Sequence, residues 1–343
     1  MRLGLTVGYS GAQMGLDIAR IQEAERLGYD SVWTAEAWGS DAVSPLAWIG
    51  AQTTKIKLGT AIMQLPGRSP ANTAMTAMTM DALSGGRFIL GLGTSGPQVV
   101  EGWHGRPWHK PLTWMREYLT IVRDILKREK ALEFHGEHYR IPYDGPDSAG
   151  LGKPLKSILH GRADMPIYSG SMAPKGQALA GELADGVLLT CMNPAFPEVI
   201  EDNLKEGLAL RTDGKTLADF DIAPAVAVII GDDLERCRLP LRQSLALYVG
   251  GMGARSKNFY NEYVRRAGFE AEAIHIQNLY LDGKKAEAVA AVSDAMVDAF
   301  HLVGSPERIR DQFQVWKESR VGTLIVGTEQ MEAVRLMAKL IAE

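Results

Sequence analysis

The chain has 343 residues, 46% of them hydrophobic, with 37 basic against 41 acidic side chains and a net charge of −4. That is enough apolar chain for one large or two ordinary domains, and the interspersed charges present no nucleic-acid or membrane surface. The longest apolar run, residues 222–230, is too short to span a bilayer, no leader-like segment opens the chain, and Cys191 and Cys237 form no CxxC pair, so the expectation is a cytoplasmic protein acting on a small molecule.

Leu3–Tyr9 reads as the first strand, and Met14, Ile18, Ile21, Ala24 and Leu27 mark a helix that Gly28 ends in a left-handed conformation. Ser31–Thr34 is a second strand, followed by Glu36, Trp38 and a helix around Pro45–Thr54. Ile56–Met63 is β-branched and apolar, as a strand buried on both faces should be. After a turn at Leu65–Arg68, Ser69 caps a helix with Pro70 at its first position; Ala71, Met75, Met78 and Ala82 are its expected buried stripe. Ser84, Gly85 and Gly86 stop it, and Arg87–Leu92 returns as a fourth strand, parallel to the third because a crossover helix joins them. Gly91, Gly93 and Gly96 spell G-x-G-x-x-G, a dinucleotide fingerprint where a helix starts at once. The continuation through Pro97, Gln98 and Trp103 predicts no prompt helix, so the match is read as coincidence.

Pro111 opens a longer helix with Leu112, Met115, Leu119, Val122 and Leu126 at the helical period. Residues 129–164 are polar and rich in Gly and Pro, and read as an insertion holding a small hairpin. The alternation resumes with strands at Pro166–Ser169, Gly186–Thr190 and Ile222–Ile230, separated by helices at Ala173–Leu183 and Glu198–Arg211. A helix around Leu234–Val249 leads into a second, helical and charged insertion at 250–299. Ser305 and Pro306 repeat the cap-plus-proline device before a helix carrying Ile309, Phe313 and Trp316; Thr323–Val326 and a helix at Met331–Ile341 close the chain. Eight strands alternating with helices predict an α/β protein: a single (β/α)8 TIM barrel over residues 1–343, with insertions after units four and seven. A doubly wound sheet would need fewer strands and a linker to a second domain, and no such linker is visible.

Parallel strands gather ligands at their carboxyl ends, which places Ala61, Ile62, Thr94, Ser95 and Gly96 on the candidate rim. The loop Tyr168–Lys175 is built of small residues running into a helix start; it suits phosphate through free N–H groups and the helix dipole, with Gly170 allowing close approach, or it is an ordinary tight turn. Glu36 puts a carboxylate on the same rim, either to accept a hydrogen bond from a cofactor or as a plain loop acid. Trp38, Trp103, His104, Trp108 and His109 either line an aromatic pocket or pack a loop over the barrel mouth. His135 and His138 lack further ligands and are read as surface residues, so no metal is assigned. Arg255 and Lys257 either grip an anionic tail or are solvated.

Val32-Trp33-Thr34-Ala35-Glu36, Leu58-Gly59-Thr60-Ala61, Arg87 to Gly93, Leu183-Ala184-Asp185-Gly186 and Val303 to Glu307, in that order and over nearly the whole chain, resemble the luciferase-like flavin monooxygenase superfamily. Gly93 to Gln98 and Gly250-Gly251-Met252-Gly253 resemble its branch using the deazaflavin coenzyme F420, the relatives of methylenetetrahydromethanopterin reductase. The resemblance implies a (β/α)8 barrel, commonly a homodimer, with the deazaflavin at the strand carboxyl ends. It implies a non-prolyl cis peptide at Ala61-Ile62 behind the ring, a phosphate loop at Gly170, Ser171 and Met172, and a cofactor contact from Glu36. Ala37 stands where sugar-phosphate-oxidising relatives carry histidine, which argues against that substrate class. Gly96-Pro97-Gln98 replaces a carboxylate proton donor of some relatives, leaving Glu101 as the nearest candidate acid. The expected function is F420-dependent hydride transfer to or from an unidentified organic substrate. The alternatives are an FMN-dependent monooxygenase with a partner reductase, and a non-catalytic deazaflavin- or flavin-binding protein.

Overall fold

The apolar runs condense into a closed ring of parallel strands. In the computed structural model, which describes residues 1–8 and 10–343, the ring consists of β1 (Arg2–Gly8), β2 (Ser31–Thr34), β3 (Lys57–Thr60), β4 (Phe88–Gly93), β5 (Ile167–Gly170), β6 (Gly186–Thr190), β7 (Asp221–Ile230) and β8 (Thr323–Gly327). Each pairs in parallel with the next, and β8 returns to β1 with Thr323 beside Arg2 and Gly327 beside Thr6. Closure removes every barrel edge, and the (β/α)8 barrel expected from the alternation is what forms. The first strand was expected to run to Tyr9, which lies outside the described residues.

Trp33, Ile89, Tyr168, Leu188, Ala223 and Ile325 fill the lumen. The indole of Trp33 takes the largest share, and Gly59 on β3 makes room for it: a Cβ there would lie 2.3 Å from the indole Cε3. Gly59→Ala is therefore expected to cost about 1–3 kcal/mol by overpacking, read as a lower urea midpoint at unchanged slope; an unchanged midpoint would show that the indole can move aside. At the amino ends of the strands the hydroxyls of Tyr168 (2.6 Å) and Thr323 (2.7 Å) and the Arg2 guanidinium (2.6 Å) all donate to Asp221 Oδ2, closing the floor.

Local signals set the helix ends. Ser69 accepts from the Asn72 N–H and Ser305 from the Arg308 N–H, each with proline next in sequence, and Gly28 has φ +87°. Three expectations need correction. The helix Pro70–Ser84 buries Thr73, Ala74, Ala77, Met78, Met80 and Asp81, while Met75 is 59% exposed. It is apolar on several sides, so period alone cannot choose a face; Thr73 bonded to the Tyr118 hydroxyl (2.6 Å) and Asp81 paired with Arg162 (2.8 Å) choose it. A helix does start promptly after Gly96, at Pro97–Gly102, because proline at its first position sets φ. It is a bare turn and a half, yet its prompt start removes the ground on which the glycine pattern was read as coincidence. Third, the strand expected over Ile56–Met63 is interrupted: β3 ends at Thr60 and a short strand, Met63–Gln64, re-forms beside β4.

The segment after the helix Pro111–Lys127 contains an antiparallel hairpin, Phe134–His135 with Arg140–Ile141. Glu117, buried on that helix, docks it by accepting from the N–H groups of Glu137, His138 and Tyr139 at 2.6, 2.9 and 3.1 Å. Residues 259–300 are helical and are held onto the barrel by Asn193, whose Nδ2 donates to Ala267 O at 3.0 Å.

Candidate functional site

Side chains alternate along each strand, so the lumen positions above the core layer are Thr6, Gly93, Gly170, Thr190, Ala227 and Gly327. All are small. On β7 the alternation is explicit, since Ala225 and Ala227 are half-buried between the buried Val226 and Val228. The carboxyl ends of the strands thus carry small side chains above a packed apolar core.

The break after β3 shapes one side of that end. The Ala61–Ile62 peptide is cis, and both residues pack against the lumen core. Ile62 occupies the space that glycines on two neighbouring strands vacate. A Cβ at Gly93 would lie 2.5 Å from Ile62 Cδ1, and one at Gly170 2.8 Å from Ile62 Cγ2.

Glu36 sits just beyond β2, buried, with both oxygens engaged. Oε1 accepts from the Gln64 N–H at 2.9 Å and Arg68 Nη1 at 2.8 Å, while Oε2 accepts from the Ala42 N–H at 3.1 Å and Arg68 Nη1 at 3.0 Å. Gln64 Nε2 donates to Glu36 O at 3.0 Å and to Ser95 Oγ at 3.3 Å, and Gln64 Oε1 lies 2.9 Å from His104 Nε2. One network therefore ties together the loops after β2, β3 and β4. Sequence reasoning missed Gln64 and Arg68. The available signal was a buried-strand carboxylate in need of a cation and one arginine in the turn Pro66-Gly67-Arg68. Ser95 holds φ +61°, and Thr94 Oγ1 donates to Ser95 O at 3.3 Å.

At the end of β5, beside β4, Gly170, Ser171 and Met172 are half-buried and precede the helix Pro174–Leu183, whose amino end carries no side-chain cap. A Cβ at Gly176 in the first turn would lie 2.0 Å from Ser171 Oγ, so that hydroxyl rests on the helix start. Arg266, from the helical segment 259–300 and also missed in sequence, donates Nη2 to Met172 O at 3.3 Å.

Other candidates lie apart from this cluster. Glu101 is exposed and accepts from the Trp108 N–H at 3.1 Å. Trp38 and Trp103 are 58% and 65% exposed. Arg255 is tied to Asp282 at 2.7 Å, and Lys257 lies over the Phe259 ring. His135 is exposed, as expected, but His138 is half-buried between His109 and Trp114, with centroids 4.6 and 6.1 Å away. His301 Nδ1 accepts from the Ala227 N–H at 3.2 Å, and burial pushes its pKa down to about 4. Among the described residues no cluster of three or more His, Cys, Asp or Glu could hold a metal, and no helix is long and apolar enough to cross a membrane.

Fold and site together define a (β/α)8 barrel whose strand carboxyl ends carry small side chains beside a cis peptide at Ala61–Ile62. A family model described as luciferase-like monooxygenase matches residues 8–323, and the chain belongs to that family. Over 343 residues, 99% of each chain, it is 43% identical to a Mycobacterium tuberculosis protein provisionally named a coenzyme F420-dependent oxidoreductase. It is 29% identical to the 5,10-methylenetetrahydromethanopterin reductase of Archaeoglobus fulgidus, over 93% of this chain and 92% of that one. The solved coenzyme F420-dependent tetrahydromethanopterin reductase of Methanopyrus kandleri shares the fold with a TM-score of 0.79 at 24% identity, covering 98% of this chain and 97% of that one.

Proposed function

We propose that this protein is a coenzyme F420-dependent oxidoreductase that moves a hydride between the deazaflavin and a small organic substrate. The observation that carries the reading is the seat at the mouth, where Ile62 is fitted against Gly93 and Gly170 beneath a ring of small side chains. A flat ring system fits such a seat, and the names of the relatives favour F420 over FMN. F420 supplies a carbon where flavins have N5, so it exchanges hydride with carbon and reacts poorly with oxygen.

The protein's part is to bind, orient and exclude water. Ala61 and Ile62 support the ring, and Thr94 and Ser95 offer polar groups on the β4 side. The backbone of Gly170, Ser171 and Met172, with the helix start behind it, holds a phosphate. Glu36 shapes the rim by fixing three loops through Arg68 and Gln64. The working assembly in this reading is a homodimer.

Titration of the purified protein with oxidised F420 and, separately, with FMN, followed by fluorescence, tests the reading. Micromolar F420 binding with FMN weaker by about tenfold or more, roughly 1.4 kcal/mol, is expected. The reverse preference would move the protein to the FMN-dependent monooxygenases. Tight F420 binding without turnover of any substrate would leave a deazaflavin-binding protein.

A further inference from the structure

We propose that residues 149–162 form a peripheral membrane-docking loop, which seats the end of the barrel opposite the candidate site on an anionic lipid surface. The proposal is independent of the cofactor.

The loop presents aliphatic side chains that the fold leaves in water. Ile158 is 94% exposed, Leu151 86%, Leu155 68% and Leu159 43%. Single exposed aliphatics are ordinary on a protein surface, but four on one short loop make a patch that calls for a partner. They are held out rather than loose. The Leu132 N–H donates to Leu155 O at 2.8 Å, Arg128 Nε to Ser157 O at 2.7 Å and Ser157 Oγ to Leu159 O at 2.7 Å, which fixes the backbone on both sides of Ile158. Further on, Arg162 pairs with Asp81 at 2.8 Å.

Charge selects the partner. Over the whole chain the two signs are interspersed, with a net charge of −4, yet residues 148–163 contain Lys153, Lys156, His160 and Arg162 and no acid. Lys153 and Lys156 are exposed, and Lys156 Nζ donates to Glu129 O at 3.1 Å, a neutral acceptor that leaves its charge in place. Beside the loop a groove lined by Ile125, Leu132 and Leu155 is rimmed by Lys127, Lys130 and Lys156. Asp124, Glu129 and Glu133 also border that groove, so the excess of positive charge lies on the loop itself. Aliphatics interspersed with lysines suit an anionic bilayer, because the apolar groups enter the headgroup layer while the ammonium groups meet lipid phosphates. A second copy of the chain fits less well, since a twofold contact at this patch would set Lys153 and Lys156 against their own counterparts.

The position of the loop leaves the site clear. Arg123, one turn before the end of the helix Pro111–Lys127, donates to Met165 O at 2.8 Å, and Arg162 donates to Gly86 O at 3.3 Å. Met165 and Gly86 precede β5 and β4, so the loop lies at the amino ends of the strands. Leu83, 81% exposed near the end of the helix Pro70–Ser84, lies at the same end. A protein resting on lipid by this end keeps the carboxyl ends of its strands in water.

Cosedimentation of the full-length protein with lipid vesicles tests the docking. With vesicles of equimolar phosphatidylcholine and phosphatidylglycerol most of the protein should pellet at low salt, and with phosphatidylcholine alone it should stay in the supernatant. Leu151→Ser combined with Ile158→Ser should weaken vesicle binding by about tenfold or more. Lys153→Gln combined with Lys156→Gln should weaken it by about tenfold and reduce its dependence on salt. Both double variants should keep the wild-type thermal midpoint and F420 affinity, which separates lost docking from lost fold. Wild-type protein that stays in the supernatant with both kinds of vesicle overturns the proposal, as does unchanged binding by the serine variant. Equal binding to the two kinds of vesicle overturns the choice of an anionic surface. A wild-type dimer that the serine variant converts to monomer, without vesicle binding, overturns the proposal in favour of a second copy of the chain.

Discussion

Gly170→Asp is expected to abolish F420 binding at micromolar concentration while leaving the barrel folded. Two effects act together at that position. The new Cβ would sit 2.8 Å from Ile62 Cγ2, and so press on the side chain proposed to support the ring. The new carboxylate would also stand at the mouth of the proposed phosphate loop. Two like charges about 5 Å apart at an effective dielectric of about 20 repel by about 3 kcal/mol, roughly a hundredfold in affinity. Gly170→Ala separates the terms, because it keeps the steric push and omits the charge. It is expected to weaken binding by about tenfold, near the lower end of the 1–3 kcal/mol typical of overpacking. Fluorescence titration at low and high salt measures both variants, and the aspartate variant should recover partly at high salt because exposed charges are screened. Equal losses in the two variants would show that no anionic group lies near Gly170.

Arg68→Met is expected to be the most destabilising single change at the site. It leaves the Glu36 carboxylate buried with, among the described residues, only the N–H groups of Gln64 and Ala42 as partners. Breaking a buried pair from one side costs about 3–5 kcal/mol, whereas neutralising both partners costs far less. Glu36→Gln combined with Arg68→Met should therefore be more stable than Arg68→Met alone. Denaturant unfolding of the four proteins of the cycle gives the coupling directly. A cost below about 1 kcal/mol for Arg68→Met would place the pair with surface ion pairs. The loops after β2, β3 and β4 would then need another anchor.

The fold was largely legible in the sequence because its signals are local. Apolar runs of strand length, caps such as Ser69 and Ser305, and stop signals such as Gly28 act within a few residues; the structure carries these caps and stops, while the apolar run 56–63 breaks after Thr60. The cis peptide at Ala61–Ile62 falls where the family resemblance put it. The buried face of Pro70–Ser84 was misjudged because the helix is apolar on more than one side, so local period could not rank Met75 against Thr73.

By itself the sequence determined the alternation of strands and helices, the closed barrel that follows from it, and the end of that barrel where loops with Glu36, Ile62, Ser95 and Gly170 gather. Only the tertiary structure decided what those residues do to one another. The bonds that occupy Glu36 and orient His104 join residues 28, 32 and 40 positions apart. No propensity or period reaches that far, because such contacts exist only after the ring closes and brings the carboxyl ends of separate strands together. Closure also turns Glu36 from an apparently available rim carboxylate into the partner of Arg68, and sets the Gln64 amide 2.9 Å from His104 Nε2.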